Sequence, residues 1–128
     1  MDKTSLVDKK TEAGRKLVEA LDEATFPVRA ALWYYVPEPA NWRLVIASAL
    51  VREEGPNEAY RRLQSVLMRH PEVSVELNDV WFVKDTDPFV ELIAKAVRTP
   101  PDAIKEIRFS RNSVDGVFID DALIYRSS

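Results

Sequence analysis

Cysteine is absent from this 128-residue chain. That removes thiol nucleophiles, disulfides, thiolate zinc sites and cysteine-ligated iron–sulfur clusters. Histidine is nearly absent. His70 stands alone, so no site that needs two imidazoles can come from one copy of the chain. Glycine is scarce as well: Gly14, Gly55 and Gly116 are the full set. They cannot build Gly-x-Gly-x-x-Gly or the P-loop pattern. No apolar run approaches the ~18 residues of a membrane-spanning helix. The N-terminal Met1-Asp2-Lys3-Thr4-Ser5 has mixed charge and no apolar stretch behind it, so no secretory signal is read there.

What is present describes an ordinary folded protein. The chain is 46% hydrophobic and 30% charged, with a net charge of −3. That composition is neither disordered nor fibrous. The length suits one domain with one core. The expectation is therefore a single α+β domain over residues 1–128, cytoplasmic and bacterial, with no cofactor and no membrane contact.

Apolar spacing sets the expected elements. Leu6, Ala13, Leu17, Ala20, Leu21 and Ala24 make a helical stripe over Ser5–Thr25. Thr4 or Ser5 is placed to cap it, and Gly14 weakens it by roughly 1 kcal/mol against Ala. Val28–Val36 and Trp42–Ala49 are rich in β-branched and aromatic residues and read as strands. Pro37-Glu38-Pro39-Ala40-Asn41 reads as their connection. Closed symmetrically, that hairpin sets Val36 opposite Trp42, Tyr34 opposite Leu44 and Leu32 opposite Ile46. Arg29, Ala31, Trp33 and Tyr35 then share the second face with Arg43, Val45 and Ala47. Gly55-Pro56 opens a helix that Pro71 ends. Val73–Val75 and Val80–Lys84 are short strand candidates. Asp87-Pro88 opens a third helix, with an acidic cap and then Pro at its first position. Asp102–Ile104 fits one further helical turn. Lys105–Ser110, Gly116–Ile119 and Ala122–Arg126 close the chain as strands, with Asp120-Asp121 either a turn or part of one bent strand. The order is α-β-β-α-β-α-β-β-β. It predicts a mainly antiparallel sheet of five to six strands with about three packed helices.

Chemistry is thinly signalled. Asp85, Asp87, Asp120 and Asp121 are the candidate ligands for Mg²⁺ or Ca²⁺, which need clustered oxygens. Against a metal site, Asp87 already serves as a cap, and adjacent strand residues point to opposite faces. A carboxylate hydrolase acting on phosphate esters is the enzymatic alternative. Pro101-Asp102 lacks a following Asp/Glu-x-Lys, which removes the nuclease pattern. His70, just before Pro71, is placed to meet helix C-terminal carbonyls. Arg61, Arg62 and Arg69 are the candidate nucleic-acid contacts. Glu53, Glu54 and Glu58 lie beside them, and the chain is acidic, which makes a solvated, charge-laced face the plainer reading.

The first hairpin carries the sharpest expectation. Arg29, Trp33, Tyr35, Arg43 and Val45 combine aromatic and Arg types that dominate interface hot spots. They form either a contact face for a protein partner or second copy, or a second core face under helices. Trp42 and Trp81 are read as core or rim packing. The function that follows is non-catalytic protein binding: an adaptor, inhibitor or immunity-type partner, in one form a homodimer.

Overall fold

The computed structural model describes Leu6 and residues 8–128. The expected cap at Thr4 or Ser5 lies outside the described residues. The chain forms helix α1 (Asp8–Glu23), strands β1 (Ala30–Pro37) and β2 (Ala40–Ser48), and helices α2 (Ala49–Glu54) and α3 (Pro56–Arg69). A 3₁₀ turn (Leu77–Asp79) leads into strand β3 (Val80–Lys84), helix α4 (Pro88–Ala96) and strands β4 (Ile107–Val114) and β5 (Val117–Ser127).

The sheet runs β3-β2-β1-β5-β4. It is mixed, which corrects the mainly antiparallel expectation. β1 pairs antiparallel with β2 and β5, and β4 with β5, but β3 runs parallel to β2. A parallel neighbour needs a long crossover, and α2 with α3 supplies it. α2 is also the fourth helix. It begins where the Trp42–Ala49 strand was expected to finish, because the Ser48 hydroxyl accepts from Leu50 N–H and caps a new helix. Gly55, at φ 90, then separates α2 from α3. Val73–Val75 is not a strand, although Val73 is buried in the core. Asp102–Ile104 forms no helix. The two C-terminal strand candidates merge into the single strand β5.

Helices cover both faces. One face packs Ala31, Trp33, Tyr35, Trp42, Leu44 and Ile46 against Leu17, Leu21, Leu50, Leu63 and Val66 of α1, α2 and α3. The other packs Leu32, Val45, Ile119, Ala122 and Ile124 against Ile93 of α4. Full burial of one such side chain stabilises by about 1.5–3 kcal/mol. Asp87 caps α4 by accepting from Phe89 N–H.

α1 meets the sheet through Trp33 and Tyr125. Trp33 Nε1 donates to the Lys10 carbonyl at 3.2 Å and to Tyr125 Oη at 3.1 Å, and Tyr125 Oη donates to the Thr11 carbonyl. Gly14 lies over this pair, and a Cβ there would stand 2.4 Å from Tyr125 Oη. Burial pushes the Tyr125 phenol well above its usual range.

The two margins of the sheet differ in character. β3 is five residues long, and Tyr60 donates its hydroxyl to the Val80 carbonyl at 2.8 Å. β4 is mostly exposed and polar, carrying Arg108, Ser110, Arg111, Asn112 and Ser113, with Arg111 at φ 47. Its turn into β5 holds Asp115 and Gly116 at φ 49 and 80, the two positive values of a type I′ hairpin. At the other end of β5, Arg126 is buried. It makes a bidentate pair with Asp22 at 2.7 and 3.0 Å and donates to the Ala103 carbonyl. Among the described residues, no helix is long and apolar enough to cross a membrane.

Candidate functional site

The expected contact face does not exist as a face. β1 and β2 are joined by a two-residue turn, Glu38-Pro39, so Tyr35 pairs with Trp42 and Trp33 with Leu44. The pairing differs by one residue from the symmetric five-residue loop, and a one-residue shift turns a whole strand over relative to its neighbour. Trp33 and Tyr35 therefore lie with Trp42 and Leu44, beneath α1–α3. Val45 lies on the opposite face, beneath α4. All three are buried within the chain. Arg29 ties distant segments together, donating to the carbonyls of Ser128 and Asp85 and pairing with Glu91 at 2.9 Å. Of the five, Arg43 alone joins an open surface.

The four aspartates do not converge. Asp85, after β3, accepts a bidentate pair from Arg52 at 2.8 and 3.1 Å, and that guanidinium holds its carboxyl below the usual range. Asp87 caps α4. Asp121, on β5, is pushed up by burial, but hydrogen bonds from Arg108 and Ser110 more than offset this and leave it lowered. Asp120 and Asp121 do line one cleft, of about 340 Å³, with Tyr35, Ser110 and Arg111, but Asp85 and Asp87 lie elsewhere. β3 and β5 are separated by two strands, about 14 Å at the usual strand spacing. Among the described residues, no group of three or more His, Cys, Asp or Glu side chains is placed to hold one ion.

The three arginines of α3 do come together. Arg61, Arg62 and Arg69 line one cleft of about 270 Å³ with Ser65. Glu58 accepts from both Arg61 and Arg62, which holds its carboxyl down at about 2. His70 follows α3 and its ring lies 3.2 Å from Glu72. Its backbone N–H closes the helix by donating to Val66 and Leu67 carbonyls.

A surface that the sequence reading missed lies on the α4 side of the sheet. Phe109 pairs with Ala122, Ala122 with Tyr34, and Tyr34 with Arg43. Directly paired residues share a face, so these form one row across four strands. The Arg43 guanidinium then lies over the Trp81 ring, 4.9 Å from its centroid, and carries the row onto β3. Phe89 of α4 leans on Tyr34 at 4.7 Å between ring centroids. α4 is only nine residues long, and it leaves the row half-covered. Tyr34, Arg43 and Phe109 are partly exposed, and Trp81 is 41% exposed. Pairing Tyr34 with Arg43 in the sequence would have required recognising Glu38-Pro39 as a two-residue turn.

Searches of protein-family models, curated proteins and solved structures find no match to this chain.

Proposed function

We propose that the protein is a non-catalytic protein-binding module of the bacterial cytoplasm, of the adaptor, inhibitor or immunity type. The observation that carries this reading is the row Phe109–Tyr34–Arg43–Trp81. Aromatic side chains and Arg supply most of the energy in protein interfaces. Here they run in register across the sheet, with Trp81 at 41% exposure. Arg43 is held for this role: its Nη1 donates to the Asn78 carbonyl at 2.9 Å while the guanidinium plane rests on Trp81. A rigid, pre-positioned cation over an aromatic ring loses little freedom on binding. Three of the four carboxylates that a hydrolase would use, Asp85, Asp87 and Asp121, are engaged in ion pairs or a cap instead, so the Mg²⁺-dependent reading has less support.

The test is site-specific photo-crosslinking in the native host. A photoreactive side chain replacing Trp81 yields a discrete protein adduct, and Arg43→Glu in the same chain abolishes it. An adduct of twice the chain mass identifies the partner as a second copy, the homodimeric form of the proposal. Adducts that are equally abundant from a control position such as Glu53, or that ignore Arg43→Glu, refute the assignment.

A further inference from the structure

We propose that the cleft between α3 and the turn from α1 into β1 is an anion site that takes a phosphomonoester. It lies on the opposite side of the sheet from the aromatic row and does not depend on that reading. Arg61, Arg62, Ser65 and Arg69 edge the cleft, and Phe26 with Val66 forms its floor. The spacing is what an α-helix needs: residues three, four, seven and eight apart share one side.

Arg61 uses Nε and Nη2 on Glu58, and Arg62 uses Nε on Glu58 and Nη2 on Glu54. Both Nη1 groups have no hydrogen bond among the described residues. Arg69 has no ion pair among the described residues. Glu58 thus acts as a fork that fixes two guanidiniums side by side without exhausting them. Two carboxylates meet three guanidiniums, which leaves the cleft cationic in a chain whose net charge is −3.

The free guanidinium donors set the ligand class. A phosphomonoester brings a charge near −2 and three acceptor oxygens. Planar guanidinium forks match those oxygens better than any other side chain, and the Ser65 hydroxyl adds one further donor. The apolar floor of Phe26 and Val66 suits the carbon stem of the ester. A volume of about 270 Å³ stands at the small end of ligand sites and fits one phosphoryl group with a short stem. A nucleic-acid backbone would need a basic stripe continuing beyond the cleft.

The experiment is calorimetric titration of the full chain with phenyl phosphate and with inorganic phosphate. Wild-type protein is expected to bind phenyl phosphate saturably, about threefold or more tighter than inorganic phosphate because of the stem's burial. Arg69→Gln and Arg62→Gln each weaken it by about tenfold, the loss of one charged hydrogen bond. Lys105→Gln, away from the cleft, leaves it unchanged. Amide resonances of Ser65 and Arg69 shift on titration in the wild type. Absence of saturable binding, or equal affinity in Arg69→Gln and wild type, overturns the site. Equal affinity for the two ligands overturns the assignment of the floor to the stem.

Discussion

Gly14→Ala is the perturbation that most directly probes how α1 is seated. By helix propensity alone it should stabilise, since Ala exceeds Gly by about 1 kcal/mol in a helix interior. The packing says the reverse. The new Cβ would stand 2.4 Å from Tyr125 Oη and 2.6 Å from Trp33 Nε1, where ordinary contact begins at 3.4 Å. Neither ring can swing aside, because both are essentially fully buried. α1 must therefore lift by about 1 Å, stretching the hydrogen bonds to the Lys10 and Thr11 carbonyls. Overpacking of this kind costs about 1–3 kcal/mol, and each buried polar group left short of its partner costs about 1–3 kcal/mol. Set against the propensity gain, the net expectation is a loss of about 2–4 kcal/mol. At this chain length that lowers Tm by about 8–16 °C. Urea denaturation followed by tryptophan fluorescence, with calorimetry for Tm, measures it. A Tyr125→Phe background removes Oη, one of three colliding atoms, leaving Trp33 Nε1 and the Tyr125 ring carbon Cε2, and the Gly14→Ala penalty there should shrink by about 0.5–3 kcal/mol. A Gly14→Ala protein as stable as wild type, or more so, would refute the close-approach argument outright.

Arg126→Ala strips the guanidinium from Asp22 and from the Ala103 carbonyl inside the protein. Losing one partner of a pair with a buried member costs about 3–5 kcal/mol, and because the Asp22 carboxylate is partly exposed, the low end is expected in urea unfolding. Acid should destabilise the protein through its paired carboxylates. Asp121, Asp85 and Glu91 titrate below their usual range beside Arg108, Arg52 and Arg29. Their contribution is therefore complete above the unfolded pKa, about 4. It falls away as pH drops through the lowered folded values. Asp121→Asn should accordingly destabilise at pH 7 and converge with wild type toward pH 2. A difference that stays constant over that range would contradict the pairing.

Much of the architecture was legible, and the failures have local causes. The helices at Pro56 and Pro88 were visible because apolar spacing and Gly-Pro or Asp-Pro starts agree there, and the first helix because its apolar stripe alone marks Ser5–Thr25, within which Asp8–Glu23 is helical. The hairpin strands were visible, but their register was not. It hangs on whether two or five residues turn, and Pro-Glu-Pro-Ala-Asn carries turn chemistry at every position. That single residue decided which face held Trp33, and so which residues looked like an interface. α2 was hidden because Ala49-Leu50-Val51 extend the apolar run of β2, and only the cap at Ser48 makes them the start of a helix. The parallel pairing of β3 was hidden because nothing in Val80–Lys84 itself distinguishes it from an antiparallel strand. Arg61, Arg62 and Arg69 were found together because helical spacing is regular. The row through Tyr34 was not, because cross-strand neighbours are invisible until register is known.

The sheet's two margins constrain how anything could join it. At one side β3 offers five residues, with the Val80 carbonyl engaged by Tyr60. At the other, β4 presents polar side chains and a left-handed residue at Arg111. Short, polar or distorted edges discourage a further strand from docking by backbone pairing. Growth of the sheet in its own plane is thereby disfavoured, which works against fibrillar stacking and against capture of extended peptides. If the proposed binding role holds, recognition falls to side chains that stand out of the plane, and a complex formed that way would add no backbone amide protection along β3 or β4.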